Sequence, residues 1–270
     1  GLVYYTYQLC GYSINRVAQS IYTGTGTVTA KIDGYTESQF SMDEKDGYLR
    51  IVTTEASYTS KVYTDEKHGW ENHEPGEEKM SNSLFILDEN LKTVGSITDL
   101  AENEQIYSAR FYGDIGYFVT FRTVDPLFSA DLSDPHHPKI LGELKIPGFS
   151  TYMQSYGDGL LFGIGNETKE VEGGRVTTDG MKLSMFDVSD PANVKEAAKT
   201  VLKENYSDAL YDHHAILCDS GKNIIGFATY QEYLIYGYGA DGFYKRASIP
   251  LTLYSYNVRG VYIGGDYYIV

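Results

Sequence analysis

Asp212-His213-His214 sets one carboxylate beside two imidazoles in consecutive positions, a combination from which acid–base or metal-assisted chemistry can be assembled. With Arg110 as a group that steadies developing negative charge, Asp212 and His213 outline a hydrolase or lyase. The same residue types also make a structural network, in which acids, arginines and a histidine pair with one another and fill a polar space. The chain has no G-x-S-x-G elbow, H-E-x-x-H pair or P-loop, so a catalytic set would have to be gathered from separate segments. We therefore read these residues as a polar network with binding capacity, assign none of them as catalytic or as a metal ligand, and name no cofactor.

Other spellings are weaker. His68 and His73 flank Trp70 in "HGWENHEPGEE"; they would hold a metal only in a suitably folded loop, whereas an exposed Trp70 points to a partner contact. "GYGADG" at Gly237–Gly242 satisfies G-x-G-x-x-G, but a dinucleotide site needs a helix after it. "FYKRASIP" follows instead, so this is a loop between strands. Arg122 and Asp125 read as a structural pair across a turn. The sequons at Asn166 and Asn205 matter only in a secreted eukaryotic setting. Cys10 and Cys218 are too few for a disulfide framework and match no metal spacing; two buried thiols are expected.

Charge narrows the partners. Lys and Arg number 22 against 37 Asp and Glu, a formal net charge of −15, which repels nucleic acid and anionic lipid. No apolar run approaches the ~20 residues of a membrane span, and "GLVYYTYQLC" lacks the charged start of a signal peptide. Because it opens without Met, the chain reads as a mature or excerpted segment. The oligomeric state is not readable from it.

Strands must position these groups. Tyr (26) and Phe (11) are abundant and Pro scarce (7), which suits pleated surfaces joined by tight turns. Only "PANVKEAAKTVLKEN" offers a helical turn or two, and its Ser-Asp-Pro entry suits a loop entering a strand equally well. Apolar runs recur after turns: "GYLRIVTT" at Gly47, "GYFVTF" at Gly116, "GLLFGIG" at Gly159, "KNIIGFA" at Lys222 and "DYYIV" at Asp266. Two of the intervals match the ~40–45 residues of a four-stranded propeller blade, and the longer two carry insertions, residues 55–80 and 166–180, expected as surface loops or hairpin extensions.

The turn Ser133-Asp134-Pro135 returns as Ser189-Asp190-Pro191, which marks the same junction in successive blades, since Asp and Ser bond nearby amides and Pro presets φ. His136 and His137 within it are expected to be exposed. The expected fold is all-β: one domain over residues 1–270, a propeller of four-stranded antiparallel blades. Five blades are expected, one of them shared between strands from the two ends, which removes open sheet edges. The innermost strands then carry Asp43, Glu44, Arg110, Gln154, Asp212, His213 and Arg259 toward a central channel.

The strings "QFSMDEKDGYLRIVTT", "NSLFILDENLKTVGSITDL", "GYFVTFRTVDPLFSADLSDPHHPKILGELKIPGFSTYM", "KLSMFDVSDP" and "DHHAIL" closely resemble secreted bacterial and archaeal proteins that carry a C-terminal β-propeller domain. The resemblance spans residues 37–165 strongly and 181–230 moderately. It implies a propeller distantly similar to WD-repeat domains, on an exported or surface-attached protein, and implies no activity. The chain departs from that pattern after Tyr152, where the family has Leu-His-Pro and Met153-Gln154-Ser155 stand here.

Together these readings give an acidic propeller, extracellular or in the cell envelope, that binds a protein or glycan. The candidate contact residues are Glu44, Arg110, Gln154, Asp212, His213 and Trp70. A hydrolase or lyase at the channel mouth is the alternative.

Overall fold

A computed structural model gives the fold; the structure describes residues 2–9, 12–21, 27–65, 68–121, 125–171, 175–251 and 257–270. The chain groups into two compact units: residues 1–106 with 132–139, and residues 107–131 with 140–270. Strands are the only extended secondary structure among the described residues; the remaining elements are single 3-10 turns.

In the first unit β1 (Leu2–Leu9), β2 (Tyr12–Ile21) and β3 (Thr27–Asp33) form a three-stranded meander, and β4 (Met42–Lys45), β5 (Tyr48–Asp65), β6 (Trp70–Leu87) and β7 (Thr93–Leu100) form a four-stranded sheet. Three further four-stranded sheets follow: β8 (Gln105–Tyr112) to β11 (Lys139–Ile146) through β9 (Ile115–Phe121) and β10 (Asp125–Asp131); β12 (Phe149–Ser155) to β15 (Lys195–Val201) through β13 (Leu160–Val171) and β14 (Arg175–Asp187); and β16 (Ile216–Asp219) to β19 (Gly242–Pro250) through β17 (Ile224–Ala228) and β18 (Glu232–Gly239). A hairpin, β20 (Gly260–Ile263) and β21 (Asp266–Ile269), ends the chain. Neighbouring strands of every sheet are sequential, so each sheet closes through local turns.

The repeat is visible in burial. In β9 the five residues between its ends are all buried, and β13 and β17 carry similar buried runs. A strand covered on both faces needs a continuous apolar run, which is why these second strands announced themselves. The fourth strand β15 alternates instead, exposed and half-buried residue by residue. That alternation decides between the two readings of residues 191–205 in favour of a loop entering a strand: only Pro191–Asn193 turns, capped by Asp190, before the chain extends. Tyr117, Val119 and Leu127 pack with Met153, Leu161 and Phe186. Phe162, Leu183 and Met185 pack with Ile225, Phe227 and Leu234. The sheets of the second unit therefore stack face to face.

One expectation needs correction. Among the described residues the pairing expected between the two ends is not seen: β1–β3 pair among themselves and β20 with β21. Local hairpins close with far less entropy cost than a pairing across most of the chain. Of the two forms expected for the insertions at 55–80 and 166–180, the structure has the paired hairpin extension. β5 and β6 stay in register from Leu49↔Leu87 to Asp65↔Trp70, and β13 with β14 out to Val171↔Arg175. Cys10 and Arg122 lie outside the described residues, and Cys218 has a free thiol.

Buried Asn82 seals the base of the first ribbon: it accepts from Thr54 Oγ1 at 2.7 Å and donates to the Leu100 and Glu104 carbonyls, both at 2.9 Å. Replacing residues 58–78 with an Asn-Gly turn is thus expected to keep unfolding cooperative and to change stability by no more than about 1 kcal/mol. Urea denaturation checks this; loss of the cooperative transition would make the ribbon part of the core.

The Ser-Asp-Pro turns match bond for bond. Asp134 Oδ1 accepts from His136 N at 2.9 Å, and Asp190 Oδ1 from Ala192 N at 3.1 Å; one residue further on, His137 N and Asn193 N reach the aspartate carbonyls. Each turn lies on a glycine of an earlier fourth strand. A Cβ added to Gly95 of β7 would stand 2.1 Å from Pro135 O, and one on Gly142 of β11 would stand 2.8 Å from Ala192 O. Ser129 Oγ donates to Pro191 O beside the second seat. The "GYGADG" segment is the β18–β19 hairpin turn, as its context requires, and its Gly242 faces the Ala198 side chain of β15.

Candidate functional site

In the second unit the polar residues form a row across the starts of successive sheets. Arg110, on β8, donates from Nε to the Met153 carbonyl at 2.7 Å and again from Nη2. Its guanidinium lies 5.0 Å from the centre of the Tyr152 ring. Burial lowers the Arg110 pKa and raises that of Tyr152. Tyr152 Oη donates to Gln154 Oε1 at 3.0 Å, and Gln154 Nε2 donates to the Cys218 carbonyl at 3.2 Å. Burial pushes the Cys218 thiol up to about 12, so it is no nucleophile near neutral pH.

Asp212 and His213 are placed differently from expectation. They precede the innermost strand β16: Asp212 caps a 3-10 turn over His213–Ala215. A short acid before an amide in need of an acceptor is a capping signal, and here Asp212 Oδ1 accepts His214 N at 2.9 Å. The same oxygen lies 2.9 Å from His214 Nδ1, and Arg259 Nη2 donates to Oδ2 at 3.2 Å. The backbone and ring hydrogen bonds of His214 hold the Asp212 carboxyl below its ordinary value. The His213 ring lies 6.3 Å from Tyr152, nearly parallel to it, and 3.8 Å from His214. Burial, then repulsion from His214, lowers its pKa.

Arg110, Gln154, Asp212 and His213 are thereby joined into one network with Tyr152, His214 and Arg259. Glu44 and Trp70 belong to the first unit. Glu44 is exposed and accepts from Gly47 N at 3.0 Å, while its neighbour Asp43 pairs with buried Arg50. Trp70 ends the long ribbon, 68% exposed, with His68 5.3 Å away. The side chains of His73 and Asp125 fall outside the described residues. His136 and His137 are exposed, as expected.

One surface of the second unit was not singled out from the sequence. Tyr206 and Tyr230 stack at 4.7 Å with planes 14° apart, and Tyr211 adjoins Tyr206 at 6.0 Å. Tyr211 is 78% and Tyr230 52% exposed. Tyr206 Oη donates to Asp208 Oδ1 at 2.6 Å, which pushes the phenol up to about 12, while Asn257 N donates to Asp208 Oδ2. The three positions share no sequence spacing by which they could have been found.

A family description, "Beta propeller domain", matches residues 12–263, and its span agrees with the stacked four-stranded sheets. The chain belongs to the β-propeller domain family. Two archaeal relatives share this domain. An uncharacterised protein of Archaeoglobus fulgidus is 38% identical over 239 residues, 88% of this chain and 33% of that protein. Another, from Methanocaldococcus jannaschii, is 37% identical over 209 residues, 77% of this chain and 29% of that protein. The propeller domain thus spans about a third of the curated relatives it matches. Among its described residues no helix is long and apolar enough to cross a membrane.

Proposed function

We propose that the propeller domain is a non-catalytic recognition module, on an exported or envelope protein, whose ligand is a glycan. The observation that carries this reading is the exposed tyrosine cluster Tyr206, Tyr211 and Tyr230 beside Asp208. Tyrosine rings offer flat apolar area with little rotamer loss on binding, and the C–H face of a sugar packs on such rings. The polar row favours structure over turnover. Arg110 is bonded to a backbone carbonyl, and both Asp212 oxygens are engaged, so a substrate would have to displace Arg259 or His214.

Screening the domain on an oligosaccharide array and titrating the best saccharide tests the reading. Tyr211→Ala/Tyr230→Ala is expected to weaken that binding at least about tenfold, with the thermal midpoint nearly unchanged because both side chains are exposed. Equal binding by the variant, or an array on which the wild type binds nothing, would overturn it. Cleavage of a bound saccharide, lost in Asp212→Asn, would favour the hydrolase or lyase instead.

A further inference from the structure

We propose that Asp212, His213 and His214 form a binding site for a late first-row divalent metal ion, with Zn2+ as the type case. This goes beyond glycan recognition and stands on other residues. One ligand atom from each of the three side chains lies within 4.8 Å of the others. Ligands about 2.0–2.2 Å from a tetrahedral zinc ion stand about 3.4 Å apart, so the widest of these separations closes with at most about 1.4 Å of side-chain movement.

The turn explains the convergence. Asp212 caps it through His214 N, which brings the carboxylate back over the two rings that follow. Successive side chains on a 3-10 turn ordinarily diverge, yet these rings lie 3.8 Å apart. The 2.9 Å between Asp212 Oδ1 and His214 Nδ1 also matches the bite of two ligands set at right angles about 2.1 Å from one ion. An ion can therefore replace the proton those atoms share. Arg259, on Oδ2, orients the carboxylate from outside; its charge also opposes a cation, which places the expected affinity in the micromolar range rather than tighter.

Two imidazoles and one carboxylate suit zinc, cobalt or nickel and not magnesium or calcium, which require oxygen. His214 is exposed and His213 half-buried. The ion can enter from solvent, and water can complete its coordination.

Calorimetric titration with Zn2+ and visible absorption on adding Co2+ test the site in the whole chain. The expected result is saturable binding of one ion, weakened at least about tenfold in His214→Gln and in Asp212→Asn. It should be unchanged in His136→Gln/His137→Gln, which removes the other adjacent histidine pair. His214 is exposed and the backbone N–H that Asp212 caps is kept in its variant, so His214→Gln should retain the wild-type circular dichroism spectrum. Absence of saturable binding to the wild type would overturn the proposal. So would full binding by folded His214→Gln, or binding lost with His136 and His137.

Discussion

Lys182→Met is expected to destabilise the protein by about 3 kcal/mol and to lower the melting temperature by roughly 6–12 °C. Lys182 lies on β14 with its side chain 1% exposed; its Nζ donates to the Pro147 carbonyl at 2.6 Å and stands 3.7 Å from Glu196, itself 14% exposed. Methionine fills a similar volume but removes the charge, leaving a carboxylate and a carbonyl short of a buried donor. Each loss is costly where water cannot substitute. The reverse substitution tests the cause: in Lys182→Met/Glu196→Leu no carboxylate is left facing the gap, and part of the stability should return. Ser184 Oγ donates to Glu196 Oε1 at 2.8 Å, so the recovery should be incomplete. A single variant with wild-type melting temperature would show that Lys182 acts only as packing.

Gly95→Ala should cost about 3 kcal/mol and Gly142→Ala about 2 kcal/mol, as overpacking against a fixed neighbour. The obstacle at each is a backbone oxygen, that of Pro135 or Ala192, held in a turn that Asp134 or Asp190 has already braced. A rotamer change cannot relieve it. Urea midpoints with an unchanged slope measure the effect. Changes within about 0.5 kcal/mol, the range of ordinary surface substitutions, would show that the turns do not press on these glycines.

The stacked sheets were legible because a strand covered on both faces has no choice of composition. The second strands of the four-stranded sheets begin at Tyr48, Ile115, Leu160 and Ile224, each within two residues of the run that signalled it. The Ser-Asp-Pro turns were legible for a similar reason: side-chain oxygens and proline fix the backbone locally. Pairing of the chain's ends was not legible, since alternating strands at either terminus are compatible with partners near or far. Asp212 was read as a strand residue because its own backbone is extended and only the residues after it turn. Lys182 has no sequence mark of burial; only the carbonyl and carboxylate folded against it permit a lysine there. The tyrosine cluster is assembled from residues 206, 211 and 230, whose proximity is a product of the fold.

The seat on Gly142 gives assembly in the second unit a direction. β11 is complete as soon as the chain reaches Ile146, whereas the turn that lies on it comes only at Pro191–Asn193, after three strands of the next sheet. During synthesis from the amino end, the seat therefore exists before the element that occupies it. A nascent sheet would find its neighbour by shape already in place, and its fourth strand, starting at Lys195, would be launched from that anchored turn. Sheets built this way are put in order by the ribosome's own timetable, and a wrong neighbour would have to offer a glycine gap at the matching height.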